Sequence, residues 1–219
     1  MDLEQLIPFW KDLTPQQQEA VKASAQWRSA PKGTVLHRGE EDCLGLVIIA
    51  SGLLRAYIVS DEGKEVTLYR LFERDMCLFS ASCMMRDIQF DIHIEVERDA
   101  KFWVIPAPVY QQLMDTSLPV MKYTNSLMAT RFSDVMWLIE QIIWKSFDKR
   151  LAGFLLTEQE VEGSSQLTIT HDRIASHLGT AREVVTRMLR YFQAEELVKL
   201  SRGSITIVNP RGLEELSEA

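Results

Sequence analysis

The chain has 219 residues, 46% of them hydrophobic and 25% charged, and a formal net charge of -7. That apolar content excludes wholesale disorder and suffices for one medium core and one small one, hence two domains. The acidic balance excludes nucleic-acid binding by bulk electrostatics alone, and the 3 cysteines have no CxxC or other metal-ligand spacing.

The first segment, MDLEQLIPFWKDLTPQQQEAV, has early acids and broken apolar runs rather than a basic stretch and a signal-peptide core. No apolar run reaches transmembrane length. The expectation is a cytoplasmic protein that does not act at a membrane, with free thiols and no structural disulfide. Leu3, Leu6, Ile7, Phe9, Trp10 and Leu13 are expected to pack a helix against the strands downstream. Short strands are predicted within Gly33–Glu40 and at Leu44–Ala50, Leu53–Val59, Val66–Leu71, Ile92–Val96 and Phe102–Ile105, with turn signals at Ser51-Gly52 and Asp61-Glu62-Gly63-Lys64. Many short strands without long intervening helices imply a closed antiparallel fold.

Between these strands lies an apolar stretch rich in sulfur. Met76, Cys77, Phe79, Cys83, Met84, Phe90 and His93 are the candidate effector or redox pocket, because Met and Phe line adaptable cavities and thiols change local packing when oxidised. Ordinary core packing is the plainer reading of the same cysteines and methionines. His93 alternates with Ile92 and Ile94, which fits a hydrogen-bonded strand histidine and also leaves an axial haem ligand open.

A long helix is predicted next. Pro119 suits its first turn, and Met121, Thr124, Met128, Phe132, Val135, Ile139 and Ile142 recur at steps of three or four. That stripe needs a partner, either the protein's own sheet or a second copy.

The C-terminal third carries the sharpest signal, THDRIASHLGTAREVVTRML from Thr170 to Leu189. Thr170 can cap a first helix whose apolar side is Ile174, Ala175 and Leu178, and Gly179 ends it at a positive φ. Thr180 and Glu183 have the spacing of a capping box for a second helix. Val184, Val185, Met188 and Leu189 form its buried stripe, which leaves Arg182, Glu183, Thr186 and Arg187 outside. Arginine donates twice to guanine and glutamate accepts from cytosine, so these four are the candidate base-contacting residues. An exposed intrahelical Glu183–Arg187 ion pair is the plainer reading of the same pattern. Tyr191 and Phe192 extend the helix toward a small core. Leu197–Leu200 and Ser204–Val208 then read as a hairpin whose tip carries Arg202. Thr170, His171, Thr180, Lys199 and Arg202 form the candidate phosphate-contacting set; His177, on the first helix, is expected to be solvent-exposed or to meet phosphate.

The stretch from Phe147 to Pro210, with DKRLA after the long helix and Arg182, Glu183 and Arg187 in the base-facing places, resembles the winged-helix domain of the Crp/Fnr family of bacterial transcription factors. GTVLHRGE and the hairpin leading into SGLLRAY extend the resemblance to nearly the whole chain. It implies an α+β fold in three parts: a cyclic-nucleotide-binding-type β jelly roll with an N-terminal helix (1–117), a dimerisation helix (118–146) and a winged helix-turn-helix (147–219). It further implies a homodimer on palindromic double-stranded DNA with a TGTGA-like or TTGAT-like half-site, RNA polymerase as a partner, and a small-molecule or redox signal. The chain departs from the cyclic-AMP branch in its phosphate cassette: the Gly-Glu is absent, and Phe90-Asp91 stands where that branch has Arg-Ser. A carboxylate there repels phosphate, which argues against cyclic AMP. Residues 1–32 contain no Cys, which sets aside an iron–sulfur cluster of the Fnr type. The sequence leaves the effector unknown. Two other classes compete: a binding or interaction module with a vestigial winged helix, and a cysteine-dependent enzyme, for which no motif organises the polar residues.

Overall fold

The computed structural model describes residues 2–39, 43–84 and 91–218, with only the backbone for 82–84. The described chain divides into two compact units, one of residues 1–59 and 68–135, the other of residues 60–67 and 136–219. No described helix is long and apolar enough to cross a membrane.

The first unit opens with α1 (Leu3–Leu6), a tight turn at Trp10–Asp12 and α2 (Pro15–Ser24). Thr14 and Gln17 form a reciprocal capping box, and Pro15 begins α2 where its missing N–H costs nothing. The expected single N-terminal helix is therefore broken in three, because Pro8 and Pro15 both interrupt a continuous ladder. All six predicted packing residues, Leu3, Leu6, Ile7, Phe9, Trp10 and Leu13, are buried in one cluster with Leu46, Ile48, Tyr110 and Val120.

The sheet contains β1 (Gln26–Ala30), β2 (Val35–Arg38), β3 (Leu46–Val59), β4 (Glu65–Leu71), β5 (Met76–Cys77) and β6 (His93–Ile105). Its main order is β1-β6-β3-β4, with β2 also on β6 and β5 on β3. Two sequence expectations are corrected here. The strands at Leu44–Ala50 and Leu53–Val59 are one strand, β3, and those at Ile92–Val96 and Phe102–Ile105 are one strand, β6. Ser51-Gly52 is a bulge in the β3–β6 ladder rather than a turn, with register shifts from Ile49 to Leu54. Gly52 has φ 100°, and a Cβ there would run into the Asp99 carbonyl, so glycine lets two long strands cross closely. Strand β1 was not expected; four of its five residues are exposed, which hides the alternation that marks a strand.

After α3 (Ala107–Thr116) comes α4 (Leu118–Trp144), 27 residues long. Its inner side is fixed by Val120, Thr124 and Arg131, all buried. Thr124 Oγ1 lies 2.6 Å from the Tyr110 hydroxyl, and burial pushes that phenol up to about 12. Arg131 stacks on Tyr69 and pairs with Asp134. Another side of α4 carries Met121, Phe132, Met136, Ile139 and Ile143, all exposed, Phe132 at 68%.

The second unit contains α5 (Phe147–Glu162), β7 (Gln166–Leu167), α6 (His171–Leu178), α7 (Arg182–Ala194), β8 (Val198–Ser201), β9 (Ser204–Ile207) and α8 (Pro210–Glu218). The strands form a small sheet in the order β7-β9-β8. Leu151, Leu155, Ile174, Val185, Leu189, Phe192, Val198 and Leu213 are among the residues of its core. Helix α8 lies outside the predicted elements; Asn209 starts it by accepting from the Gly212 N–H at 3.0 Å, and Leu213 is its buried anchor.

Candidate nucleic-acid interface

Helices α6 and α7 meet at Gly179. Thr170 accepts from the Arg173 N–H at 3.1 Å and so caps α6, as its position implied. Gly179 sits at φ 66° and closes the helix through the Ala175 carbonyl. A Cβ at this glycine would lie 2.5 Å from Val66 Cγ2, a residue of the 60–67 segment that belongs to the same unit. Gly179→Ala is therefore expected to destabilise the chain by about 1–2 kcal/mol from the left-handed backbone, before any clash is relieved. Urea unfolding of the full chain checks this; an unchanged midpoint would mean that the turn relaxes freely.

The capping box expected at Thr180 and Glu183 does not form. Ala181 is the N-cap of α7, without a side-chain bond, and the Thr180 N–H is spent on the Ala175 carbonyl. The turn is one residue longer than the S/T-x-x-E spacing assumes, so Glu183 is freed for another role. His177 is also corrected: it is buried rather than exposed, with Nδ1 2.8 Å from Thr67 Oγ1 and its ring against Phe154. Phe192 is fully buried, whereas Tyr191 is half in solvent.

Arg182, Glu183, Thr186, Arg187 and Arg190 line one open depression on α7. The opposite side of the helix, through Val185, Leu189 and Phe192, anchors it in the core, so the helix has a built inside and a polar outside. Arg190 was not among the expected base-facing residues, although it follows Arg187 and Thr186 by three and four positions and shares their face. The ion pair on this surface joins Arg182 to Asp172 across the two helices at 3.5 Å; among the described residues none joins Glu183 to Arg187. His171 Nδ1 lies 2.8 Å from Thr186 Oγ1. Burial and the nearby Arg182 hold the His171 imidazole below its ordinary pKa. Lys199 and Arg202 are exposed, and Arg202-Gly203 forms the tight connection between β8 and β9, with Gly203 at φ 79°.

The described residues of the expected effector pocket are divided between two clusters. Met76 belongs to the cluster under α1 and α3, while Cys77 and Phe79, on the other face, pack with Ile49, Tyr69 and Ile94. His93 stacks on Tyr57 at 5.1 Å, away from its neighbour Ile94. Strand alternation sends neighbours to opposite faces, which the composition of the stretch could not reveal. The side chains of Cys83 and Met84, and all of Phe90, lie outside the described residues. The Ser80 hydroxyl sits within 2.7 Å of the Gly45 and Cys77 carbonyls and is buried, so it is not offered to a phosphate. From Met76 to Ala81 the side chains are all buried.

Cys43 is disulfide-bonded, contrary to the expectation of free thiols throughout, and Cys77 is a free buried thiol. Burial pushes the Cys77 thiol up, against the smaller opposing effect of hydrogen bonds from Ser80. Native Cys77 is expected to resist alkylation by iodoacetamide at neutral pH and to react once the chain is unfolded, a contrast that mass spectrometry reads directly. Rapid native labelling would show that the sheet opens there. Among the described residues, no group of three or more His, Cys, Asp or Glu is placed to hold a metal ion.

Residues 149–216 match the Crp-like helix-turn-helix domain and residues 27–117 the cyclic nucleotide-binding domain. The fumarate and nitrate reduction regulatory protein of Vibrio cholerae is 27% identical over 197 residues, covering 85% of this chain and 76% of that protein. The cyclic AMP receptor protein of Thermus thermophilus is 23% identical over 211 residues, 96% of each chain. A crystal structure from Eubacterium rectale ATCC 33656, of a protein assigned to the crp/fnr family of transcriptional regulators, superimposes with a TM-score of 0.97. It is 57% identical and covers 98% of this chain and 100% of its own. Because that likeness runs the length of both chains and includes sensor, long helix and reader alike, the protein belongs to the Crp/Fnr family of sequence-specific DNA-binding transcription regulators.

Proposed function

We propose that two copies pair along α4 and present two α7 helices to an inverted repeat in double-stranded DNA. The observation that carries this reading is the α7 face itself: Arg182, Glu183, Thr186, Arg187 and Arg190 line one open depression while the helix's other side is locked in the core. Arg182 and Arg187 supply paired donors for guanine, Glu183 accepts from cytosine, and Thr186 suits either base type. Thr170, His171, Thr180, Lys199 and Arg202 hold the phosphate backbone and set register. The division of labour follows the chain, with 1–117 sensing, 118–146 pairing and 147–219 reading.

Met121, Phe132 and Ile139 of the expected dimerisation stripe are exposed and available to a mate, joined by Met136 and Ile143. Ile142 is exposed too, and Val135 and Met128 are half-buried on its border. Thr124 is withdrawn from the set, since its side chain is consumed inside its own protomer. The effector is a small molecule or redox signal other than cyclic AMP, and RNA polymerase is the protein partner.

The phosphate and base sets separate in binding measurements. Arg202→Ala is expected to weaken binding almost equally on operator and on unrelated duplex and to lower the salt slope by about one per subunit. Glu183→Ala is expected to relax preference at a single base pair in each half-site. Equal effects of the two variants on operator and unrelated DNA would contradict this assignment.

A further inference from the structure

His171 and Asp172 open α6, and each reaches across to α7, His171 to Thr186 and Asp172 to Arg182. Thr186 Oγ1 lies 2.8 Å from His171 Nδ1 and 2.9 Å from the Arg182 carbonyl. A hydroxyl has one proton to give. If Thr186 gives it to the ring, the carbonyl loses that bond. If Thr186 gives it to the carbonyl, Nδ1 must carry its own hydrogen and donate to the hydroxyl, and every contact is satisfied. That tautomer leaves Nε2 with a lone pair when the ring is neutral and with an N–H when it is charged. In both states Nδ1–H donates to Thr186, so protonation does not release the threonine. It changes only the ring's charge and what Nε2 offers.

The charged groups facing the ring are Arg182 and Arg190 from α7 and Asp172 from its own helix. Burial and the two arginines disfavour the imidazolium in the free protein, and Asp172 only partly opposes them. A duplex arriving at this surface brings phosphate charge to the ring and draws Arg182 away toward a base edge, which leaves Asp172 beside the ring and reverses that balance. We propose that His171 is a positioning residue for the reading face, holding Thr186 through Nδ1, and that its ring takes up a proton when α7 meets a duplex, so that each subunit's DNA binding is proton-linked. The inference rests on the DNA-binding reading above and adds to it a residue that sets specificity and a pH dependence.

The test measures affinity for a selected operator and for an unrelated duplex at constant ionic strength, from about pH 7.5 down to about pH 5.5, where imidazoles titrate. Wild-type protein is expected to tighten on operator as pH falls, by at most about tenfold per pH unit for each engaged subunit. His171→Asn places an amide N–H near the position of Nδ1–H but cannot titrate. It is expected to weaken operator and unrelated duplex alike, since the phosphate contact of the ring goes, while the ratio between them stays and that share of the pH slope is lost. His171→Ala is expected to lose that share too and to relax preference at the base pair facing Thr186. A wild-type slope in His171→Asn, or wild-type preference in His171→Ala, would overturn the proposal while leaving the DNA reader intact. A wild-type chain that selects no sequence at any pH would instead defeat the DNA-binding reading, and this proposal with it.

Discussion

Arg182→Ala combined with Arg187→Ala is expected to abolish the difference between operator and unrelated DNA while leaving the fold unchanged. Each bidentate contact to a guanine edge contributes about 1–3 kcal/mol of discrimination, and a dimer makes each contact twice. Both side chains are exposed on α7 and neither belongs to the core built on Val185, Leu189 and Phe192. Truncation should therefore cost recognition rather than stability. Arg182 has a further effect: its ion pair with Asp172, at 3.5 Å between two well-exposed side chains, must yield when the arginine turns to a base. Asp172→Ala is thus a useful companion, since it frees Arg182 without removing it. Titration of labelled operator and scrambled duplexes reads the effect, and circular dichroism confirms that the double variant is folded. Retained base preference in that variant would end the assignment of α7 as the reader.

The second large effect is expected from Phe132→Glu combined with Ile139→Glu. Phe132, Met136, Ile139 and Ile143 are separated by four, three and four residues, the spacing that keeps one side of a helix facing a mate. All four are exposed, and Phe132 leaves 68% of its surface in solvent. Carboxylates in a twofold interface face their own symmetry copies, so like charge is buried against like charge. The variant is expected to sediment as a monomer at concentrations where the wild type is a dimer, and to lose operator binding with it. A single reading helix forfeits the paired half-sites, about 34 Å apart, that two would engage together. Unchanged sedimentation would show that α4 does not form the dimer.

The reader was more legible in the sequence than the sensor. In the second unit the decisive signals are local: Thr170 caps, Gly179 turns, and Ile174, Val185, Leu189 and Phe192 recur at helical spacing into one core. Even there, the capping box failed because Thr180 serves the preceding helix rather than the following one. Arg190 escaped because it lies a full turn beyond the recognised Arg-Glu-x-x-x-Arg pattern. The sensor's determinants are non-local. Gly52 looks like a turn residue by itself, and only the approach of Asp99 and Ala100 on β6 makes it a bulge. On the short strand β5 the adjacent Met76 and Cys77 point into different clusters, so composition groups side chains that alternation separates. Polar β1 shows no alternation, yet it pairs with β6 along its whole length.

In the proposed assembly α7 reads bases as one half of a symmetric pair. Selection of bound sequences from random double-stranded DNA with the intact wild-type chain checks this. An enriched inverted repeat is expected, with half-sites containing G·C pairs and centres one helical turn apart. Recovered duplexes with no shared sequence, or a single unrepeated motif, would contradict the account.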